Sequence, residues 1–255
     1  MIFESHAHYD DQQFDEDRHE ILQKVLEAGV TKVVNAASNL DSSVKIIELC
    51  NNYEHVYGAV GVHPHDVADM HDLDLETILG LASHKKIIAI GEIGLDYYYD
   101  NVPKEIQKLW FREQIALAKE IELPIIIHSR DAAADTYDIL AATNAAKVGG
   151  VIHCFSYSKE MAQRFIDLGF YIGIGGVVTF EKAKDIKEVV KAIPMEKLLI
   201  ETDAPYLAPV PSRGKRNDST KLSYIIQAIA DIRGLTYEEI EEITYNNGMK
   251  LFFNI

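Results

Sequence analysis

The sequence predicts an α/β chain folded as a single (β/α)8 barrel with a C-terminal extra helix, one domain over residues 1–255. Three observations carry this expectation. Eight short apolar runs, each suited to a strand buried on both faces, alternate along the chain with segments of helical apolar spacing. The turn after the first run holds His6-Ala7-His8, where an open doubly wound sheet would usually carry a glycine-rich nucleotide fingerprint. Histidines and carboxylates stop the runs at their C-terminal ends, which a barrel gathers into one mouth.

The first run is Ile2-Phe3-Glu4-Ser5-His6-Ala7-His8, and the period of two in an extended strand puts His6 and His8 on one face. Asp15 to Ala28 then has helical spacing through Ile21, Leu22, Val25 and Leu26, ended by Gly29. Lys32 to Ala37 reads as the second strand, Asp41 to Asn51 as a helix opened by an aspartate cap, and Val56 to Val62 as the third strand, with a helix near Leu73 to Ser83. Ile87 to Glu92 is the fourth strand. After a tyrosine-rich loop, Pro103 stands at a permitted first-turn position of a long helix whose expected buried stripe is Ile106, Leu109, Trp110, Leu117 and Ile121. The remaining strands are Pro124 to His128, Gly150 to His153, Phe170 to Ile174 and Leu198 to Thr202. Their helices are Ala132 to Ala142, Lys159 to Leu168, Glu181 to Ala192 and Thr220 to Arg233, and Thr236 to Phe252 is the extra one.

With 47% hydrophobic and 25% charged residues, the chain has the composition of a globular protein with a sizeable core. It opens on a strand without the basic and apolar regions of a signal peptide, and no apolar run reaches the roughly 18 residues of a membrane span. A cytoplasmic protein without a membrane or an obligate protein partner is expected. Cys50 and Cys154 match no paired metal or redox spacing, which suits a reducing compartment, and Cys50 reads as helix packing. The net charge of −15 argues against broad, nonspecific nucleic-acid binding. It leaves room for a nuclease, because metal ions and a few local cations reverse the potential inside one cleft.

The strand ends carry His6 and His8, His63, Glu92, His128, His153 and Asp203. Each alone has a bland alternative, as a satisfied core histidine, an ion-paired carboxylate or a turn cap. Recurrence at equivalent places in five units without counting His63 points instead to a metal centre. Four histidines and two carboxylates are too many ligands for one tetrahedral ion, so two divalent ions are expected, of zinc, magnesium or manganese. His6, His8, Glu92 and Asp203 would hold one, and Glu92, His128 and His153 the other, with Glu92 as the bridge. Such a pair, about 3.5 to 4 Å apart, activates water and holds both the attacking and the leaving oxygen. Asp203 is the expected general acid/base, and Glu92 serves catalysis as the shared ligand.

Cations for a phosphate-bearing substrate are expected from Arg130 and from the loop Pro209 to Asn217, which carries Arg213, Lys215 and Arg216. The alternative is a solvated basic loop. Tyr97, Tyr98 and Tyr99 are either a base-stacking platform or loop packing. Of His63 and His65, which flank Pro64, His63 is assigned to the substrate.

These residues resemble the TatD family of metal-dependent deoxyribonucleases, among the amidohydrolase-like TIM barrels. The likeness runs through Ser5-His6-Ala7-His8, Gly61-Val62-His63-Pro64, Gly91 to Tyr97, Ile127 to Ala132, His153-Cys154-Phe155-Ser156 and Glu201 to Leu207. It implies two divalent ions on His6, His8, Glu92, His128, His153 and Asp203, and hydrolysis of DNA phosphodiester bonds, as a 3′ to 5′ exonuclease on single strands. Some proteins similar to the family remove D-amino acids from mischarged tRNA, which makes an esterase of that kind the second enzymatic reading. A metal-stabilised scaffold binding nucleic acid without turnover is a third, and Asp203 beside the ligands speaks against it. Two departures stand out. Glu4 replaces the family's usual Asp, with an expected effect on metal preference, and Asp218-Ser219 replace Glu-Pro, which bears on the path of the substrate loop.

Overall fold

A computed structural model describes residues 1–255. Eight parallel strands pair in chain order, β1 (Ile2–Ala7), β2 (Val30–Ala36), β3 (Val56–Val60), β4 (Ile87–Asp96), β5 (Ile125–Arg130), β6 (Gly150–Ile152), β7 (Tyr171–Ile174) and β8 (Leu198–Ile200). A bridge between Ala7 and Ala204 brings the last strand back to the first and closes the barrel. The connecting helices are α1 (Arg18–Glu27), α2 (Leu40–Asn52), α3 (Asp72–Ala82), α4 (Lys104–Glu120), α5 (Ala133–Ala142), α6 (Lys159–Asp167), α7 (Lys184–Ala192) and α8 (Leu222–Arg233). None is long and apolar enough to cross a membrane.

Two apolar layers follow from strands buried on both faces. The larger lies between the sheet and the ring of helices, while the smaller, with Phe3, Val34, Ala59, Ala89, Val151 and Leu199, fills the barrel. The extra helix α9 (Tyr237–Phe253), opened by a Thr236–Glu239 capping box, closes the N-terminal end. Phe3 stacks on Phe252 at 5.6 Å, and Gly248 lies so close that a Cβ there would sit 2.6 Å from the Phe3 ring. The opposite mouth is left for chemistry.

Several elements differ from expectation for identifiable reasons. Helix α2 is capped by Asn39 rather than Asp41, because Asn39 Oδ1 accepts from the Ser42 N–H and Ser42 Oγ accepts from the Asn39 N–H. In α4 the expected buried residue Leu109 is 45% exposed, and Phe111, Gln107 and Gln114 face inward instead. The two glutamines hold the buried phase because each clamps a loop: Gln107 bonds the backbone N–H and C=O of Asp96, and Gln114 those of Val62. Helix α7 begins at Lys184, after a short 3₁₀ turn over Gly176–Thr179, and α8 begins after another over Ser219–Lys221.

The largest difference is in β4, which continues past Glu92 to Asp96, paired with β5 at Gly94 to His128 and Asp96 to Arg130. Gly94 permits this. Its φ is +149°, and a Cβ would lie 1.9 Å from the His128 carbonyl oxygen.

Candidate metal centre

All six expected ligands meet at the C-terminal mouth. His6 Nε2 and His8 Nε2 are 3.0 Å apart, and Asp203 Oδ1 lies 3.5 and 3.4 Å from them. Glu92 stands between two groups. Its Oε2 faces His6 and His8 at 3.4 and 3.6 Å, while its Oε1 lies 2.7 Å from both His128 Nδ1 and His153 Nε2. Strand geometry explains the convergence, since the six residues lie toward the C-terminal ends of β1, β4, β5, β6 and β8, or just past them, in one closed sheet.

The donor set fits divalent cations. His8 Nδ1 lies 2.8 Å from the Ala36 carbonyl, which only accepts, so a proton sits on Nδ1 and Nε2, which faces His6, is the nitrogen that could give a lone pair to an ion. His6 Nδ1 is buried without a partner. Burial raises the Glu92 carboxyl, yet the imidazoles of His153, His6 and His63 hold it well below its usual range, and those of His6 and His8 do the same for Asp203. Conversely, burial lowers His8, but the Asp203 hydrogen bond and the charge of Glu92 outweigh it and set the ring at about 9. Without an ion, protons on imidazole must balance two buried carboxylates; a metal ion would take over that balance and use the lone pairs as ligands.

The residues behind this group are themselves fixed. The buried Glu201 carboxylate accepts from the Cys154 N–H and the Ser5 hydroxyl and lies 3.6 Å from His153 Nδ1. Gly173 makes room for it, since a Cβ there would sit 2.5 Å from Glu201 Oε2. Glu4 is buried beneath His6, where it accepts from the Thr202 N–H and hydroxyl, the His6 N–H and Ser219 Oγ; burial pushes its carboxyl up to about 8 against these bonds. The two departures from the family pattern thus touch each other, because Ser219 supplies Glu4 with a hydroxyl that proline lacks.

A cleft of about 970 Å³ opens above the centre, lined among others by His63, Asp96, Tyr99, Arg130 and Tyr206. His63 Nδ1 accepts from the His65 N–H, so the neutral ring carries its proton on Nε2, 3.7 Å from Glu92 Oε1. Burial and the neighbouring His128 keep that ring well below its usual pKa. A protonated Nε2 is a donor and not a metal ligand, although His63, Glu92 and His128 are close enough together to suggest a third site. Arg130 reaches the cleft with its guanidinium 3.8 Å from the centre of the Tyr98 ring and 5.3 Å from that of Tyr99.

The basic loop is not brought into the cleft. Arg216 turns away to pair with both carboxylate oxygens of Asp17, donate to the Gln13 carbonyl and lie 4.7 Å from the Phe14 ring centre. Arg213 rests over Phe180 at 4.4 Å, and Lys215 is exposed outside the lining. Asn217 dictates this path through bonds to the Thr202 and Tyr206 carbonyls at 2.9 and 2.8 Å. Asp96, His65 and Glu201 had no assigned role in the sequence. Asp96 lies beyond Glu92, where the apolar run of β4 ends in the sequence; the pattern Gly94-Leu95-Asp96, an acid one residue beyond a buried leucine, is the signal that marks it.

Comparison with known proteins agrees with this fold. The chain is 46% identical over 252 residues to the uncharacterized metal-dependent hydrolase YabD of Bacillus subtilis, covering 99% of both chains. It is 35% identical over 255 residues to the uncharacterized metal-dependent hydrolase YcfH of Escherichia coli, covering 99% of this chain and 96% of the other. The crystal structure of YjjV, a TatD homolog from Escherichia coli, superposes with a TM-score of 0.93 at 32% identity over 100% of this chain and 98% of that one. The family model described as TatD related DNase matches residues 3–253. On that match and these relatives, the chain belongs to the TatD related DNase family.

Proposed function

We propose that this chain is a metal-dependent hydrolase that cleaves DNA phosphodiester bonds, releasing nucleotides from the 3′ end of single strands with two divalent ions of zinc, magnesium or manganese. The observation that carries it is the Glu92 carboxylate, which offers one oxygen to His6 and His8 and the other to His128 and His153. His6, His8, Asp203 and Glu92 would hold one ion and Glu92, His128 and His153 the other. Ions so held supply an activated water and charge stabilisation for the phosphoryl oxygens.

The chain's own groups do the rest. Asp203 stays ionised beside His6 and His8, so its carboxylate is ready to take a proton from the attacking water. As the new P–O bond forms, the bond to the 3′ oxygen breaks, and that proton passes to the departing hydroxyl. His63 donates from Nε2 to a phosphoryl oxygen, and Arg130 adds a fixed positive charge at the rim. Engagement through a strand end suits a protein of net charge −15 whose basic loop faces elsewhere, since a long polyanion meets mostly repulsion.

The test is incubation of the Mn²⁺-loaded protein with single-stranded DNA labelled at either end, beside D-aminoacyl-tRNA. Stepwise release of 5′-mononucleotides from the 3′ end, stopped by EDTA, is the expected result. Release of the D-amino acid with intact DNA would overturn it in favour of the deacylase.

A further inference from the structure

Asp96 lies at the end of β4, four residues past Glu92, with 1% of its surface exposed. Its carboxylate has a divided task. Oδ1 accepts the backbone N–H groups of Tyr98 and Tyr99 at 2.9 and 3.3 Å, while Oδ2 lies 2.9 Å from His128 Nε2 and 3.1 Å from His65 Nε2. The approach to His128 is a hydrogen bond; His65 sits off the line for one, and its Nε2 has no hydrogen-bond partner. The backbone of Asp96 is held in turn by the Gln107 amide, at 2.8 Å on its N–H and 3.0 Å on its carbonyl.

His128 therefore has a carboxylate at each ring nitrogen, Glu92 at Nδ1 and Asp96 at Nε2. A neutral imidazole carries one proton, and its position decides which nitrogen has a lone pair to offer a cation. A carboxylate only accepts, so Glu92 and Asp96 each call for a proton on the nitrogen they face; a cation held by Glu92 and His153 would displace the one on Nδ1, and the Asp96 bond then keeps the remaining proton on Nε2. We infer that Asp96 is a positioning residue that selects Nδ1 of His128 as the ligand atom for the second ion. The same carboxylate shapes the turn that presents Tyr98 to Arg130, so the orientation of the ligand and the form of the cleft rim depend on one side chain. This inference rests on the two-ion reading of the centre.

Asp96→Asn keeps an oxygen for the Tyr98 and Tyr99 N–H groups and replaces the other with an amide that donates, which drives the His128 proton to Nδ1. Calorimetric titration of the metal-free protein with Mn²⁺ should show one ion bound as in the wild type and the other weakened about 10- to 100-fold. A purely structural role would lower the melting temperature and leave both affinities alone; that result overturns the inference while the two-ion centre stands. A wild-type chain that takes up no Mn²⁺ overturns both. If the variant does not fold, ¹⁵N NMR of the wild-type Zn²⁺-loaded protein answers the same question. A proton bonded to His128 Nε2 is expected, and a ring bound to Zn²⁺ through Nε2 would refute the assignment.

Discussion

The backbone N–H of Asp203 donates to the carbonyl of His6 at 3.0 Å. With the bond from the His8 N–H to the Ala204 carbonyl at 2.7 Å, it joins the two ends of the sheet. The barrel closes where the first and last candidate ligands meet, so His6, His8 and Asp203 become neighbours only when the eighth strand has docked on the first. Closure and assembly of this half of the site are one event. Asp203 itself has φ +56°, a left-handed conformation costly for a residue with a side chain and of the kind found where surrounding structure holds a functional group in place.

Replacing Asp203 by Asn removes the proton acceptor while keeping the size of the side chain. Turnover should fall about 10²- to 10⁴-fold with little change in KM for single-stranded DNA. Steady-state kinetics together with circular dichroism would check this, and undiminished turnover would refute the role.

Arg130→Ala removes the one cation of the expected four that lines the cleft, along with its stacking on Tyr98. KM should rise about tenfold while the chemical step changes less, because the proposed contact is to bound phosphate in ground and transition state alike. A dependence of kcat/KM on ionic strength shallower than that of the wild type is the second readout.

Arg216→Ala should leave hydrolysis unchanged and cost about 1 kcal/mol of stability, because the residue pairs with Asp17 on the outer surface. The Arg216 guanidinium holds Asp17 below its ordinary 3.8, so the pair stabilises the fold above that pH and its contribution disappears as acid protonates the carboxylate. Denaturation curves for wild type and variant should accordingly converge as the pH falls through the lowered pKa of Asp17. A gap that persists in acid would mean the loss arises from packing on Phe14.

Glu4→Asp and Ser219→Ala should not be additive. Each breaks the 2.7 Å bond between Ser219 Oγ and Glu4 Oε2, so the second substitution loses less than it does alone. A double-mutant cycle in urea should return a coupling of about 1 to 2 kcal/mol. Strict additivity would separate the two positions.

Gly94→Ala places a methyl group against the His128 carbonyl in a backbone region that residues with side chains rarely adopt. The expected loss is about 3 kcal/mol or more, with β4 and β5 parting beyond Glu92. Urea unfolding of the metal-free protein, together with hydrogen exchange at the Leu95 and Asp96 amides, would measure it.

The sequence by itself determined the eight strands and the chemistry at their ends. Runs such as Ile87 to Ile90 and Ile125 to Ile127 are apolar on both faces, and a histidine or carboxylate ending such a run is visible without knowing what it touches. The tertiary structure alone decided which atoms meet. The split of Glu92 between two groups, the turn of Arg216 toward Asp17 and the partnership of Glu4 with Ser219 join residues distant in the chain, whose separation no local pattern encodes. The same holds for Gln107 and Gln114, which look like surface residues of α4 until loops that need hydrogen-bond partners pack on them. Local periodicity reports burial, because burial is what an apolar side chain contributes wherever it lies. Directional contacts depend on the register of distant strands, and that is settled only when the barrel closes.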